Sequence, residues 1–89
     1  MARLLTETRK GKPYYTVSFK VAEKWDRVTL GSISKKRADK VLVIVEEYET
    51  LHALLEKPNR DLRLKTLKLK ESEPKIYQRL VAKRVLILD

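Results

Sequence analysis

The chain contains no cysteine, which excludes disulfide staples, thiolate zinc sites and cysteine nucleophiles together. Histidine occurs once, at His52, which argues against a histidine-built metal site within one chain. The longest uninterrupted apolar runs, residues 41–45 and 85–88, fall far short of the roughly 20 residues that span a bilayer. The N-terminal residues lack the apolar stretch of a secretory signal, so the expected compartment is the cytoplasm. Glycine occurs twice and proline three times, and these few residues punctuate the chain. At 89 residues, one domain, or one domain with an appendage, is the limit, and its core is small.

What the chain has in abundance is positive charge. Lys and Arg total 21 against 12 Asp and Glu, a formal net charge of +9. That balance fits a polyanionic partner and says little about fold. Its distribution is uneven: residues 1–40 carry 11 basic and 4 acidic side chains, residues 41–59 one against 4, and residues 60–89 nine against 4. The two ends are basic and the middle is acidic, which turns the back of that middle segment away from a polyanion.

Hydrophobic periodicity predicts an α+β fold: a three-stranded antiparallel sheet packed on one long helix, followed by a short helical C-terminal extension. A weak first strand covers residues 2–9, with Leu4, Thr6 and Thr8 on one face. Lys10, Gly11, Lys12 and Pro13 form a turn. Residues 14–21 alternate most clearly, with Tyr15, Val17, Phe19 and Val21 facing the core and Tyr14, Thr16, Ser18 and Lys20 facing away. Residues 22–26 turn the chain into a third strand, in which Val28 and Leu30 alternate with Arg27 and Thr29; Trp25 is either a lid over the core edge, the favoured reading, or a surface aromatic. Gly31 breaks the strand, Ser34 caps a helix, and Ala38, Val41, Val45, Tyr48, Leu51 and Leu55 line its apolar face to about Glu56, where Pro58 stops it. Residues 60–71 are ambiguous, because Leu62, Leu64, Leu67 and Leu69 break phase; a short helix, an irregular arm and strands all fit. Ser72, Glu73 and Pro74 open a last helix with a stripe of Ile76, Leu80, Val81 and Val85. The apolar end, residues 85–88, requires burial. Residues 1–57 and 58–89 thus form two parts.

Three cations, Lys35, Lys36 and Arg37, occupy the first turn of the long helix, where the dipole favours acids. They either form a solvated basic turn or hold an external anion such as phosphate against the free backbone N–H groups. The uncovered sheet face, Tyr14, Thr16, Ser18, Lys20, Arg27 and Thr29, suits the major groove of duplex DNA, with Lys10 and Lys12 on phosphates and Arg27 and Lys20 as the groove contacts. No catalytic or metal-binding set accompanies it. Tyr77 reads as a packing or interfacial residue and His52 as a surface or packed histidine, and of Glu46, Glu47 and Glu49 only the first and last share a helix face.

Tyr15-Thr16-Val17-Ser18-Phe19, Arg27-Val28-Thr29-Leu30-Gly31 and Ser34-Lys35-Lys36-Arg37-Ala38 together resemble the N-terminal segment of phage-type tyrosine recombinases (integrases). The resemblance covers about residues 10–56. It implies a small three-stranded sheet on one helix that binds arm-type DNA sites through the sheet, with double-stranded DNA and other recombinase subunits or domains as partners and no cofactor. The stretch from Pro58 through Pro74, Lys75, Ile76 and Tyr77 to Leu80 and Leu86 resembles the linker into the core-binding domain. The resemblance does not bring catalysis, because those enzymes cut DNA from a separate C-terminal domain for which this chain has no room; the chain is expected not to be an enzyme by itself. The competing expectation is an assembly module that docks through the C-terminal helix and its apolar end.

Overall fold

Two tight reversals build the sheet. The structure, a computed structural model, describes residues 1–88. Strands β1 (Arg3–Arg9), β2 (Lys12–Val21) and β3 (Lys24–Gly31) pair antiparallel in the order β1-β2-β3. Lys10 and Gly11 link the first two, both at positive φ (51° and 77°), the mark of a type I′ turn. Lys12 and Pro13, expected in that turn, instead begin β2. Pro13 is tolerated because Arg9↔Lys12 is the bonded closing pair, which leaves Thr8↔Pro13 a non-bonded one. On the other side β3 reaches only Tyr15, so the missing N–H costs no ladder bond.

The second reversal uses only Ala22 and Glu23, at φ 53° and 62°. Residues 24–26, expected as turn, belong to β3. Neither turn residue is Gly or Asn, so the sequence carries no signal of a two-residue hairpin here. Opposite Tyr15 the register shifts, with Tyr15 paired to Gly31 and Thr16 to Thr29, a bulge that ends β3.

Helix α1 (Lys35–Leu54) starts where Ser34 predicts it, the Arg37 N–H donating to Ser34 Oγ at 3.2 Å. It ends not at Pro58 but at Leu55, which takes a left-handed conformation while the Glu56 N–H donates to the Leu51 carbonyl at 3.0 Å. The ambiguous segment is a helix, α2 (Arg60–Ser72), capped by Asn59, whose side chain accepts from the Leu62 N–H at 2.8 Å. Its buried positions are Leu62, Thr66 and Leu69, a helical 4-then-3 spacing that the four leucines obscure, since Leu64 and Leu67 face solvent. Helix α3 (Pro74–Ala82) has Pro74 in its first turn as expected. Ser72 does not cap it; Ser72 closes α2, its hydroxyl donating to the Lys68 carbonyl at 2.8 Å.

The fold is therefore α+β, with α1 across the inner face of the sheet, α2 against α1 and α3, and α3 along β3. One buried cluster joins Tyr15, Val17, Phe19, Val28 and Leu30 of the sheet to Ala38, Val41, Val45 and Tyr48 of α1. It continues through Leu62, Leu69, Ile76 and Leu80 to Val85 and Leu86, so residues beyond 57 share the sheet's core. Of the expected stripe on α3, Ile76, Leu80 and Val85 are buried while Val81 is exposed. The demand of residues 85–88 for burial is met within the chain by Val85 and Leu86, which leaves Leu88 outside. His52 secures this end: its Nε2 lies 2.7 Å from the Val85 carbonyl, which can only accept, so Nε2 carries the proton.

Candidate nucleic-acid interface

Helices occupy the inner side of the sheet, and residues paired directly across strands share a face, so the outer face can be written out in rows. Leu5, Thr16 and Thr29 form one row, and Arg3, Ser18 and Arg27 the next. Lys20 and Trp25 pair at one end, Glu7 and Tyr14 towards the other. All are exposed except Tyr14, Thr16 and Ser18, which are half-buried on the central strand. Tyr14, Thr16, Ser18, Lys20, Arg27 and Thr29 thus lie together on one face, as their alternation predicts.

Three further residues join this face. Trp25 is no lid: it is 57 % exposed and stands opposite Lys20, because the two-residue turn at Ala22 and Glu23 leaves it within β3, on the same side as Arg27 and Thr29. Arg3 and Leu5 belong to the complement of the inward set Leu4, Thr6 and Thr8, and the register of β1 brings them beside Ser18 and Thr16. The row Arg3, Ser18, Arg27 places a hydroxyl between two guanidinium-bearing strands, each about 4.8 Å from the centre.

Not every charge on this surface is available. Arg9 contacts Glu7 through two N–H donors, each at 3.1 Å, and its guanidinium lies 5.6 Å from the centre of the Tyr14 ring. These bonds hold the Glu7 carboxyl below its ordinary pKa and keep a negative charge at that end of the face. Lys10 lies in the β1–β2 turn, Lys12 begins β2, and both are exposed. The start of α1 follows the end of β3 opposite Tyr15, so Lys35 and Lys36 lie at the same end of the molecule, in the helical layer rather than on the sheet face. Arg37 does not complete an anion site with them. Its guanidinium is turned to Glu73 at the α2–α3 junction, with Nε donating to Oε1 at 2.5 Å, so one of the three first-turn cations is spent within the fold. Lys35 and Lys36 have no ion pair among the described residues.

The sheet's ends and edge are closed by side chains from the helices. Arg79 Nη1 donates to the Thr29 carbonyl at 2.7 Å, and Lys83 Nζ lies 3.2 Å from Asp26 Oδ1, so α3 covers the free edge of β3 with charge. The Arg27 N–H, 2.8 Å from the same carboxylate, and then Lys83 lower the Asp26 pKa. Glu49 of α1 accepts the Lys20 backbone N–H at 2.7 Å, next to the start of β1, and lies 3.3 Å from the N-terminal ammonium. The other acids of α1 stay apart: Glu47 faces Lys65 of α2, and Asp39 and Glu46 are exposed. Tyr77 is half-buried beneath Lys70, whose Nζ is 5.7 Å from the ring centre, a packing position.

No family model, curated protein or solved structure matches the chain. Among the described residues no helix is long and apolar enough to cross a membrane.

Proposed function

We propose that this chain is a DNA-binding module that lays its outer sheet face in the major groove of duplex DNA. The observation that carries this reading is the helix-free face on which Arg3, Ser18 and Arg27 form one row and Lys20 and Trp25 the next. A major groove of about 12 Å admits a two-stranded ribbon, and the paired strands β2 and β3 carry Thr16, Ser18, Lys20, Trp25, Arg27 and Thr29 on one face. Arg27 and Arg3 carry forked donors suited to guanine, and the hydroxyls of Thr16, Ser18 and Thr29 fit base edges or phosphates. Lys10, Lys12, Lys35 and Lys36 are the phosphate contacts, and Arg37 is a structural residue. Resemblance of residues 10–56 to the arm-binding segment of tyrosine recombinases supports the same assignment. Within such a protein the chain recognises DNA in the cytoplasm, on the nucleoid, and strand cleavage belongs to another domain.

Trp25 is the only tryptophan in the chain, so binding is read directly from its fluorescence. Arg27→Ala is expected to weaken binding to a selected site by about 1–3 kcal/mol while weakening random duplex much less. Lys12→Ala is expected to weaken both alike and to reduce the salt slope by about 1. Equal losses on both duplexes for Arg27→Ala contradict base reading and leave that residue a phosphate contact.

A further inference from the structure

Helices α1 and α2 are bridged at two levels and stand apart between them. Glu47 and Lys65 meet at 3.4 Å at one level, and Arg37 reaches Glu73 at the other. Between these bridges lies an open groove of about 870 Å³. Val41, Ile44 and Leu69 make its floor, and Val43, 46 % exposed, makes an apolar lip. Lys40 on α1 and Lys68 on α2 form its two walls, and neither has an ion pair among the described residues. Arg37 and Glu73 neutralise each other and Glu71 is the remaining acid of the lining, so the groove stays positively charged.

We infer that this groove is a docking site for an acidic amphipathic helix of a partner protein. The stretch of α1 from residue 37 to 44 is about 10 Å long at 1.5 Å per residue, the distance between anchors i and i+7 of a ligand helix. An apolar row of that length covers Val41, Val43, Ile44 and Leu69, while Asp or Glu on its flanks meet Lys40 and Lys68. A nucleic-acid backbone offers charge for the walls but no apolar row for the floor. The site is independent of the DNA reading, since it lies in the helical layer. The assembly role expected of the C-terminal apolar end passes to a different surface, because Val85 and Leu86 are already buried.

Two displayed libraries of helical peptides about 14 residues long test this, both with apolar residues randomised at i, i+3, i+4 and i+7, one with Glu and one with Lys at the flanking positions. The Glu-flanked library is expected to yield binders whose addition shifts the amide signals of Lys40, Val43, Ile44, Lys68 and Leu69 in the labelled full chain. Lys40→Glu with Lys68→Glu, both exposed and away from the core, is expected to weaken the selected peptide at least about fivefold. A scrambled peptide of the same composition is expected to leave the groove signals unmoved. No enrichment of the Glu-flanked library overturns the inference, as do shifts confined to the sheet face or equal shifts with the scrambled peptide. Concentration-dependent shifts of the same groove without peptide overturn it in favour of a second copy of this chain.

Discussion

Single side chains decide how firmly the helices are held. Thr66 is the clearest: its hydroxyl donates to the Leu62 carbonyl at 2.8 Å, which spends its one proton, so the Tyr48 hydroxyl at 2.8 Å must be the donor to Thr66. Thr66→Val keeps the volume but strands the buried Tyr48 hydroxyl, at a cost of about 1–3 kcal/mol; Tyr48→Phe removes one bond and costs about 0.5–1.5 kcal/mol. Urea unfolding of both variants checks the order, and a larger loss for Tyr48→Phe contradicts this donor assignment. Burial pushes the Tyr48 phenol above its ordinary value of about 10. A raised folded-state pKa gives a contribution that is complete below pH about 10 and is lost as the pH rises through the folded value. The stability gap between wild type and Tyr48→Phe is therefore expected to close above pH about 10, as measured by unfolding across pH. Leu55 works the other way. It is 93 % exposed yet holds the left-handed cap of α1 at φ 57°, so Leu55→Gly is expected to stabilise the chain by about 1 kcal/mol, read as a higher melting temperature.

At the scale of elements, what was legible followed from periodicity and caps. The β2 alternation, the Ser34 cap and the stripe of α1 from Ala38 through Tyr48 to the half-buried Leu51 stand in the structure where the sequence puts them, whereas Leu55, expected to extend that stripe, lies past the helix end and is exposed. What was hidden had no residue signal. Helix α2 keeps its phase through Thr66, a polar residue that buries because Tyr48 satisfies it, so a reading of leucines alone misses the helix. The tight β2–β3 turn uses Ala22 and Glu23 at positive φ, where Asn and Gly are the usual choices. Replacing the pair with Asn-Gly is expected to stabilise the hairpin by about 1–2 kcal/mol without moving the register, checked by melting and by the Lys20–Trp25 cross-strand contact. Destabilisation by that change contradicts the type I′ geometry. The same turn accounts for Trp25: with residues 24–26 in β3 rather than in a turn, period-2 alternation places the ring on the face of Arg27 and Thr29 instead of over the core. Arg37 was misread for a different reason, since its partner Glu73 lies 36 positions away and no local pattern announces the pair.

For the whole molecule, the fold presents two separate surfaces, the outer sheet face and the groove between α1 and α2. The core is closed by α3 and by Val85 and Leu86, so the sheet does not rely on its outer face for stability. That face is free to carry Arg3, Lys20, Arg27 and Trp25 outward. The alternation of β2 made half of it legible; β1's half depended on register, which a weak strand does not reveal. The charge excess was legible from composition, but which cations are available was not, because Arg9, Arg37, Arg79 and Lys83 are engaged within the fold. The most direct measurement is an amide-shift titration of the labelled chain with a short random duplex at low and near-physiological salt. Shifts confined to Arg3, Leu5, Lys10, Lys12, residues 14–20, residues 25–29 and the start of α1, weakening steeply with salt, are the predicted result. No shift at low salt, or shifts centred on the helical layer, contradicts a DNA-facing sheet.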